Sequence, residues 1–97
     1  MIKNFADDAT RDIFDGINSK KARKRIDFRL LPIARRKLDM IASSADLNDL
    51  LIPPSNRLEL LKGKLRGKHS IRINDQYRIV FRWTNQGAEE VEIIDYH

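Results

Sequence analysis

Leu30, Ala34, Leu38, Ile41 and Ala45 recur at spacings of four, four, three and four residues, one stripe of an α-helix. Arg29, Arg35, Arg36 and Asp39 fall off that stripe, and Pro32 fits only a first turn, where its missing N–H is tolerated. The pattern predicts a helix over 32–44. A shorter one is predicted from a cap at Asp7 or Asp8 to about Ile17, with Ile13, Phe14 and Ile17 as its apolar side and Gly16 and Asn18-Ser19 ending it. Residues 46–50 suit a short helical turn, and 2–5 a short edge strand. Beyond Pro53-Pro54 the period falls to two. Strands are predicted over 57–62, 69–74, 77–84 and 90–96. Their inward sets are Leu58 and Leu60, then Ile71 and Ile73, then Tyr77, Ile79, Phe81 and Trp83. Helices first and strands after predict an α+β fold, with two or three N-terminal helices packed on one face of a mainly antiparallel sheet of four to five strands.

Alternation also predicts which charges meet. A turn centred on Asp75 sets Ile73 against Tyr77 and Ile71 against Ile79, and therefore Arg72 against Arg78 on the opposite face. Two opposed guanidiniums repel, and an anion between them would relieve the repulsion. In the last hairpin, pairing Trp83 with Val91 and Phe81 with Ile93 keeps apolar against apolar. That register sets Arg82 opposite Glu92, Val80 opposite Ile94 and Arg78 opposite Tyr96. Arg72, Arg78 and Tyr96 then share the face away from the helices, with Asp95 and His97 at the strand end. Lys62, Lys64, Arg66, Lys68 and His69 border that patch.

The 97 residues make one small domain, 1–97, with 19 Lys+Arg against 14 Asp+Glu and a formal net charge of +5. That balance suits a polyanionic partner, nucleic acid first. The chain has no cysteine, which excludes disulfides, thiolate zinc sites and cysteine nucleophiles and is compatible with a reducing, cytoplasmic location. No apolar run reaches membrane-spanning length, and residues 1–8 lack the apolar middle of a signal peptide. No metal-ligand spacing is present, and no cofactor is expected. The densest positive run, Lys20-Lys21-Ala22-Arg23-Lys24-Arg25, reads either as a solvated mobile loop or as a contact surface.

The patch combines two arginines, a phenol, a carboxylate and an imidazole. Arginine forks match phosphate oxygens, tyrosine stacks on a base or moves a proton, and histidine titrates nearest neutrality. Such a set suits cleavage of RNA by its own 2′-hydroxyl without a metal. A base removes the hydroxyl proton, cations hold the pentavalent phosphate, and an acid protonates the leaving 5′-oxygen.

Three stretches carry a family resemblance. They are Asn56-Arg57-Leu58-Glu59-Leu60-Leu61-Lys62-Gly63, then Gly67-Lys68-His69-Ser70-Ile71-Arg72-Ile73-Asn74-Asp75-Gln76-Tyr77-Arg78-Ile79-Val80-Phe81-Arg82-Trp83, then Val91-Glu92-Ile93-Ile94-Asp95-Tyr96-His97. Together with Met1-Ile2-Lys3-Asn4-Phe5 and Lys37-Leu38-Asp39-Met40, they resemble the HigB toxins, the plasmid-maintenance killer proteins of the RelE superfamily. The resemblance implies a microbial-ribonuclease-like fold and a type II toxin acting as a ribosome-dependent mRNA interferase in the ribosomal A site. It also implies partners: the 70S ribosome and mRNA, a HigA-type helix-turn-helix antitoxin, and operator DNA through the antitoxin complex. By position, the family's terminal acid, tyrosine and histidine match Asp95, Tyr96 and His97, its strand arginine matches Arg78, and its lysine before a glycine matches Lys62. Some members carry a histidine at the position of Glu59 and an arginine at that of Asn74. Either Glu59 then substitutes as base or the proton chemistry rests on the terminal residues, and Arg72 is the candidate for the charge that Asn74 lacks. Two other classes remain open: an inhibitor that grips RNA or ribosome by occupancy alone, and a partner-binding subunit with no activity of its own.

Overall fold

The computed structural model describes residues 1–96. Three helices, α1 (Asp8–Asp15), α2 (Lys20–Arg25) and α3 (Leu31–Ser43), precede four strands, β1 (Glu59–Leu60), β2 (His69–Arg72), β3 (Tyr77–Thr84) and β4 (Gly87–Asp95). The strands form one antiparallel sheet in the order β1-β2-β3-β4. Among the described residues, no helix is long and apolar enough to cross a membrane.

The helix ends follow from local chemistry. The Asp7 side chain accepts the Thr10 amide at 2.8 Å and starts α1, and Gly16, with φ of 75°, ends it in the left-handed region glycine tolerates. Pro32 sits in the first turn of α3 as its missing donor requires. The middle of the predicted stripe is buried: Ala34, Leu38 and Ile41 pack with Ile13 of α1 against Ile71, Ile79, Phe81, Val91 and Ile93 of the sheet, while Leu30 is half-buried and Ala45, past the helix end at Ser43, is exposed. The start of the chain runs along β4. Ile2 bridges Ala88 and Phe5 bridges Val91 in parallel, where an edge strand was expected.

Three expectations need correction. The run 20–25 is a helix, not a loop. Ser19 caps it, and Ala22 and Ile26 fasten it to the core at 3% and 2% exposure. Strand 57–62 shrinks to Glu59–Leu60, and Leu60 is exposed instead of facing the core. Arg57, at φ of 48°, breaks the extended chain just before it. As a two-residue edge strand, β1 has one neighbour and little cover.

The third correction is register. The β2–β3 pairing is as predicted, with Ile71 opposite Ile79 and Arg72 opposite Arg78. In β3–β4, Arg78 lies opposite Ile94, not Tyr96, and Val80 opposite Glu92, not Ile94. This two-residue shift preserves the faces, because side chains alternate with period two. Further along, Arg82 meets Glu89 and Trp83 meets Ala88, so β4 carries one extra residue between these pairings. Glu90, with φ of 54°, lies in that bulge.

Candidate active site

β2 and β3 aim Arg72 and Arg78 to the face opposite the helices, directly across from each other. Each guanidinium is compensated by a nearby carboxylate: Arg72 bonds Asp75, and Arg78 Nη1 lies 3.7 Å from the Glu59 carboxylate. The repulsion is therefore relieved from within the chain. Asp75 is 98% exposed and Glu59 50%, so both carboxylates sit on the solvent side, where an incoming anion competes with them.

Arg78 is the more fixed of the pair. Its side chain is only 12% exposed. Nη2 donates to the Arg57 carbonyl at 2.7 Å, and the guanidinium carbon stands 5.3 Å from the centre of the Tyr96 ring. Such a cation–π contact orients both groups. Among the described residues, Nε is buried without a hydrogen-bond partner, as is the Ser70 hydroxyl of β2.

Tyr96 reaches Arg78 despite the shifted register. Its backbone N–H donates to the Gln76 carbonyl at 2.7 Å, extending the pairing one residue past β4. Asp95, opposite Tyr77, accepts from the Gln76 side-chain amide at 3.0 Å. The turn 73–76 thus holds both terminal groups. Its own shape comes from Asn74, whose side-chain oxygen accepts the amides of Gln76 and Tyr77. His97, the last candidate, lies outside the described residues.

The loop candidates lie elsewhere. Lys62, Lys64 and Arg66 are exposed on the connection from β1 to β2, at the Phe81–Arg82 end of the sheet. Lys68, on the same connection, approaches Glu90 at 3.9 Å, and Arg82 pairs with Glu90 at 2.9 Å. Four residue steps separate Lys68 from Arg72, about 13 Å along an extended strand. These cations extend a basic face, and among the described residues the contacts of Arg78 run to Glu59, the Arg57 carbonyl and Tyr96 and not to them. His69 points inward and stacks on Phe81 with ring centroids 6.4 Å apart, and burial pushes its pKa down. Among the described residues, His, Asp and Glu nowhere gather in threes that could hold a metal.

Two groups escaped the sequence reading: Gln76, which orients Asp95, and the Arg57 carbonyl, which anchors Arg78. Gln76 left a faint signal, being a turn residue one place before a strand. The carbonyl left none, since any residue supplies one.

The chemistry available is electrostatic and proton-transferring: a nearly immobile guanidinium, a second beside it, a phenol 38% exposed against the first, and an oriented carboxylate. The profile of a family described as the RelE-like toxin of type II toxin–antitoxin system HigB matches residues 3–97. An uncharacterised protein of Haemophilus influenzae is 46% identical over 61 residues, 63% of this chain and 60% of that protein. The toxin HigB-1 of Vibrio cholerae is 48% identical over 50 residues, 52% of this chain and 53% of the toxin. The matches thus span only 53–60% of these curated relatives' lengths. Among solved structures, the YoeB–YefM complex from Staphylococcus aureus matches with a TM-score of 0.60 and 21% identity, covering 100% of this chain and 95% of the other, a likeness of fold.

Proposed function

The chain belongs to the RelE-like HigB toxins of type II toxin–antitoxin systems. From that premise we propose that it is a ribosome-dependent endoribonuclease of the cytoplasm, acting as one domain over residues 1–97, that cuts mRNA in the ribosomal A site and halts translation. A HigA-type helix-turn-helix antitoxin neutralises it, and operator DNA is bound only through that complex. The Staphylococcus aureus complex of related fold supports the expectation of an antitoxin partner.

In this reading, Arg78 holds the scissile phosphate as it becomes pentavalent, with Arg72 as second cation. The fork matches phosphate oxygens bidentately, and its fixed position spares reorganisation when the charge develops. His97 and Tyr96 share proton transfer: one removes the 2′-hydroxyl proton, the other delivers a proton to the 5′-oxygen. The bond from 2′-oxygen to phosphorus forms as that from phosphorus to 5′-oxygen breaks, leaving a cyclic phosphate. Asp95 orients the pair. Lys62, Lys64, Arg66 and Lys68 grip the RNA backbone farther along the sheet, with no cofactor involved. The observation that carries the reading is the Arg78 guanidinium, 12% exposed and 5.3 Å from the Tyr96 ring centre. Pure binding would be served as well by mobile surface cations.

The test is a purified translation system with a defined message, scored for stalled synthesis and for new 5′ ends. Wild type should do both, while Arg78→Ala and a chain ending at Tyr96 should lose cleavage by about 100-fold or more, the scale of losing one transition-state donor. Stalled synthesis with intact message would replace the nuclease with an inhibitor that acts by occupancy.

A further inference from the structure

Helix α2 presents a surface that this chemistry does not use. Its six residues hold five cations and no acid. Two are compensated: Arg25 lies 2.7 Å from Asp7, and Lys21 lies 3.1 Å from Asp8. Lys20, Arg23 and Lys24 have no carboxylate partner among the described residues, and at spacings of three and four they share one face of the helix.

Arg23 also borders a groove of about 450 Å³ formed with Ile26, Asp27, Phe28, Arg29 and Leu31. Ile26 is 2% exposed and belongs to the core, while Phe28 stands 74% exposed, the ring unsheltered in water. Asp27 balances Arg29 and no other cation of the groove. Arg29 bonds both its carboxylate oxygens, and these bonds hold its carboxyl at about 2. Arg23, whose Nη1 donates to the Asn18 carbonyl at 2.7 Å, is then the lining cation without a carboxylate among the described residues, so the groove is apolar inside with that one cation at its rim, beside Lys20 and Lys24 on the same face of α2.

We propose that this groove docks an acidic segment of a partner protein, one apolar side chain lying among Ile26, Phe28 and Leu31 and its carboxylates meeting Lys20, Arg23 and Lys24. Charge complementarity selects an acidic partner. Ile26 and Leu31 make an aliphatic floor beside the Phe28 ring that suits a peptide side chain, whereas a nucleobase seated on that floor would leave its polar edges without hydrogen bonds. Naming the antitoxin as this partner rests on the toxin–antitoxin reading above.

The experiment titrates the full chain with its co-expressed antitoxin by calorimetry. It compares wild type, Phe28→Ser, and Lys20→Glu combined with Lys24→Glu. All three side chains are exposed, so melting temperatures should match wild type. Each variant should bind the antitoxin at least tenfold more weakly, and only the lysine variant should also lose salt dependence. Wild-type affinity in both variants overturns the groove while leaving the toxin–antitoxin reading standing. No binding even by wild type removes both. A parallel titration with a single-stranded RNA oligonucleotide distinguishes the other polyanion: variants that lose RNA but keep antitoxin affinity assign the surface to nucleic acid and overturn the proposal.

Discussion

Arg25 should be worth about 2–3 kcal/mol of stability, because one guanidinium nitrogen ties three elements together. Nη1 donates to Asp7 at 2.7 Å, to the Ile93 carbonyl at 2.9 Å and, more weakly, to the Thr10 hydroxyl at 3.4 Å. Thr10 in turn accepts the Ile93 amide at 3.1 Å. Helices α1 and α2 are thereby clasped to β4 two residues before Asp95. Hydrogen bonds to charged groups contribute about 1.5–3 kcal/mol each, and truncation leaves a carboxylate and a carbonyl underserved. The Arg25 and Asp7 side chains are 28% and 25% exposed, so water screens part of the pair and the sum is cut to the figure above. Arg25→Ala should lower the melting temperature by roughly 10–15 °C in a chain of this size. Urea unfolding of Arg25→Ala, Asp7→Asn and the double variant measures the coupling, expected at about 1–2 kcal/mol. Amide exchange should show the Ile93 N–H opening faster in Arg25→Ala than in wild type. A loss under about 0.5 kcal/mol, with additive single variants, would refute the clasp. Acid should weaken it too. Burial raises the Asp7 pKa, but the Thr10 amide and the Arg25 bond outweigh burial and lower it overall. The clasp's contribution is therefore full above the ordinary carboxylate pKa and fades as pH falls through the depressed folded value, and Arg25→Ala should flatten that part of the profile.

Further outcomes are expected elsewhere. His69 is pushed below its ordinary value of 6.5 by burial, so the unfolded chain takes up its proton first; stability should fall as pH drops below about 6.5, and His69→Gln should remove that slope in urea titrations. Asn56 is fully buried, accepts from the Lys37 ammonium and donates to the Leu50 carbonyl at 3.1 Å; Asn56→Ala should cost about 2–4 kcal/mol by urea unfolding, with Lys37→Met recovering part of it by removing the stranded charge. The Ser70 hydroxyl is buried without a partner among the described residues, so Ser70→Ala should be neutral or stabilising by up to about 1 kcal/mol, and a clear loss would reveal an acceptor. At Gly87, φ of 116° and a Met1 carbonyl where a Cβ would stand make Gly87→Ala destabilising by about 3 kcal/mol or more, with exchange at the Ala88 amide reporting release of the chain start.

The amino-acid sequence by itself determined the faces of the central helix and the inner strands, though not at the edge, where Leu60 turned out exposed. A stripe at 3.6-residue spacing buries Ala34, Leu38 and Ile41, and period-two alternation sends Ile71, Ile79, Phe81 and Ile93 inward and Arg72 and Arg78 outward. It also determined the β2–β3 register, because the four-residue turn 73–76 leaves those strands little freedom to slide. The β3–β4 register was decided by tertiary structure. A two-residue shift leaves each side chain on the same face, so the pattern is blind to it; the chain start paired with Ala88 and Val91, and the bulge at Glu90, select one alignment. Tertiary structure likewise made a helix of 20–25, since Ala22 and Ile26 order it only when there is a core to bury them. It also gave Arg78 its carbonyl and carboxylate from β1 and the residues before it, about twenty positions away in the chain. Periodicity records which side of an element is apolar, but the partner that meets an outward charge depends on packing between elements, and no local spacing carries that information.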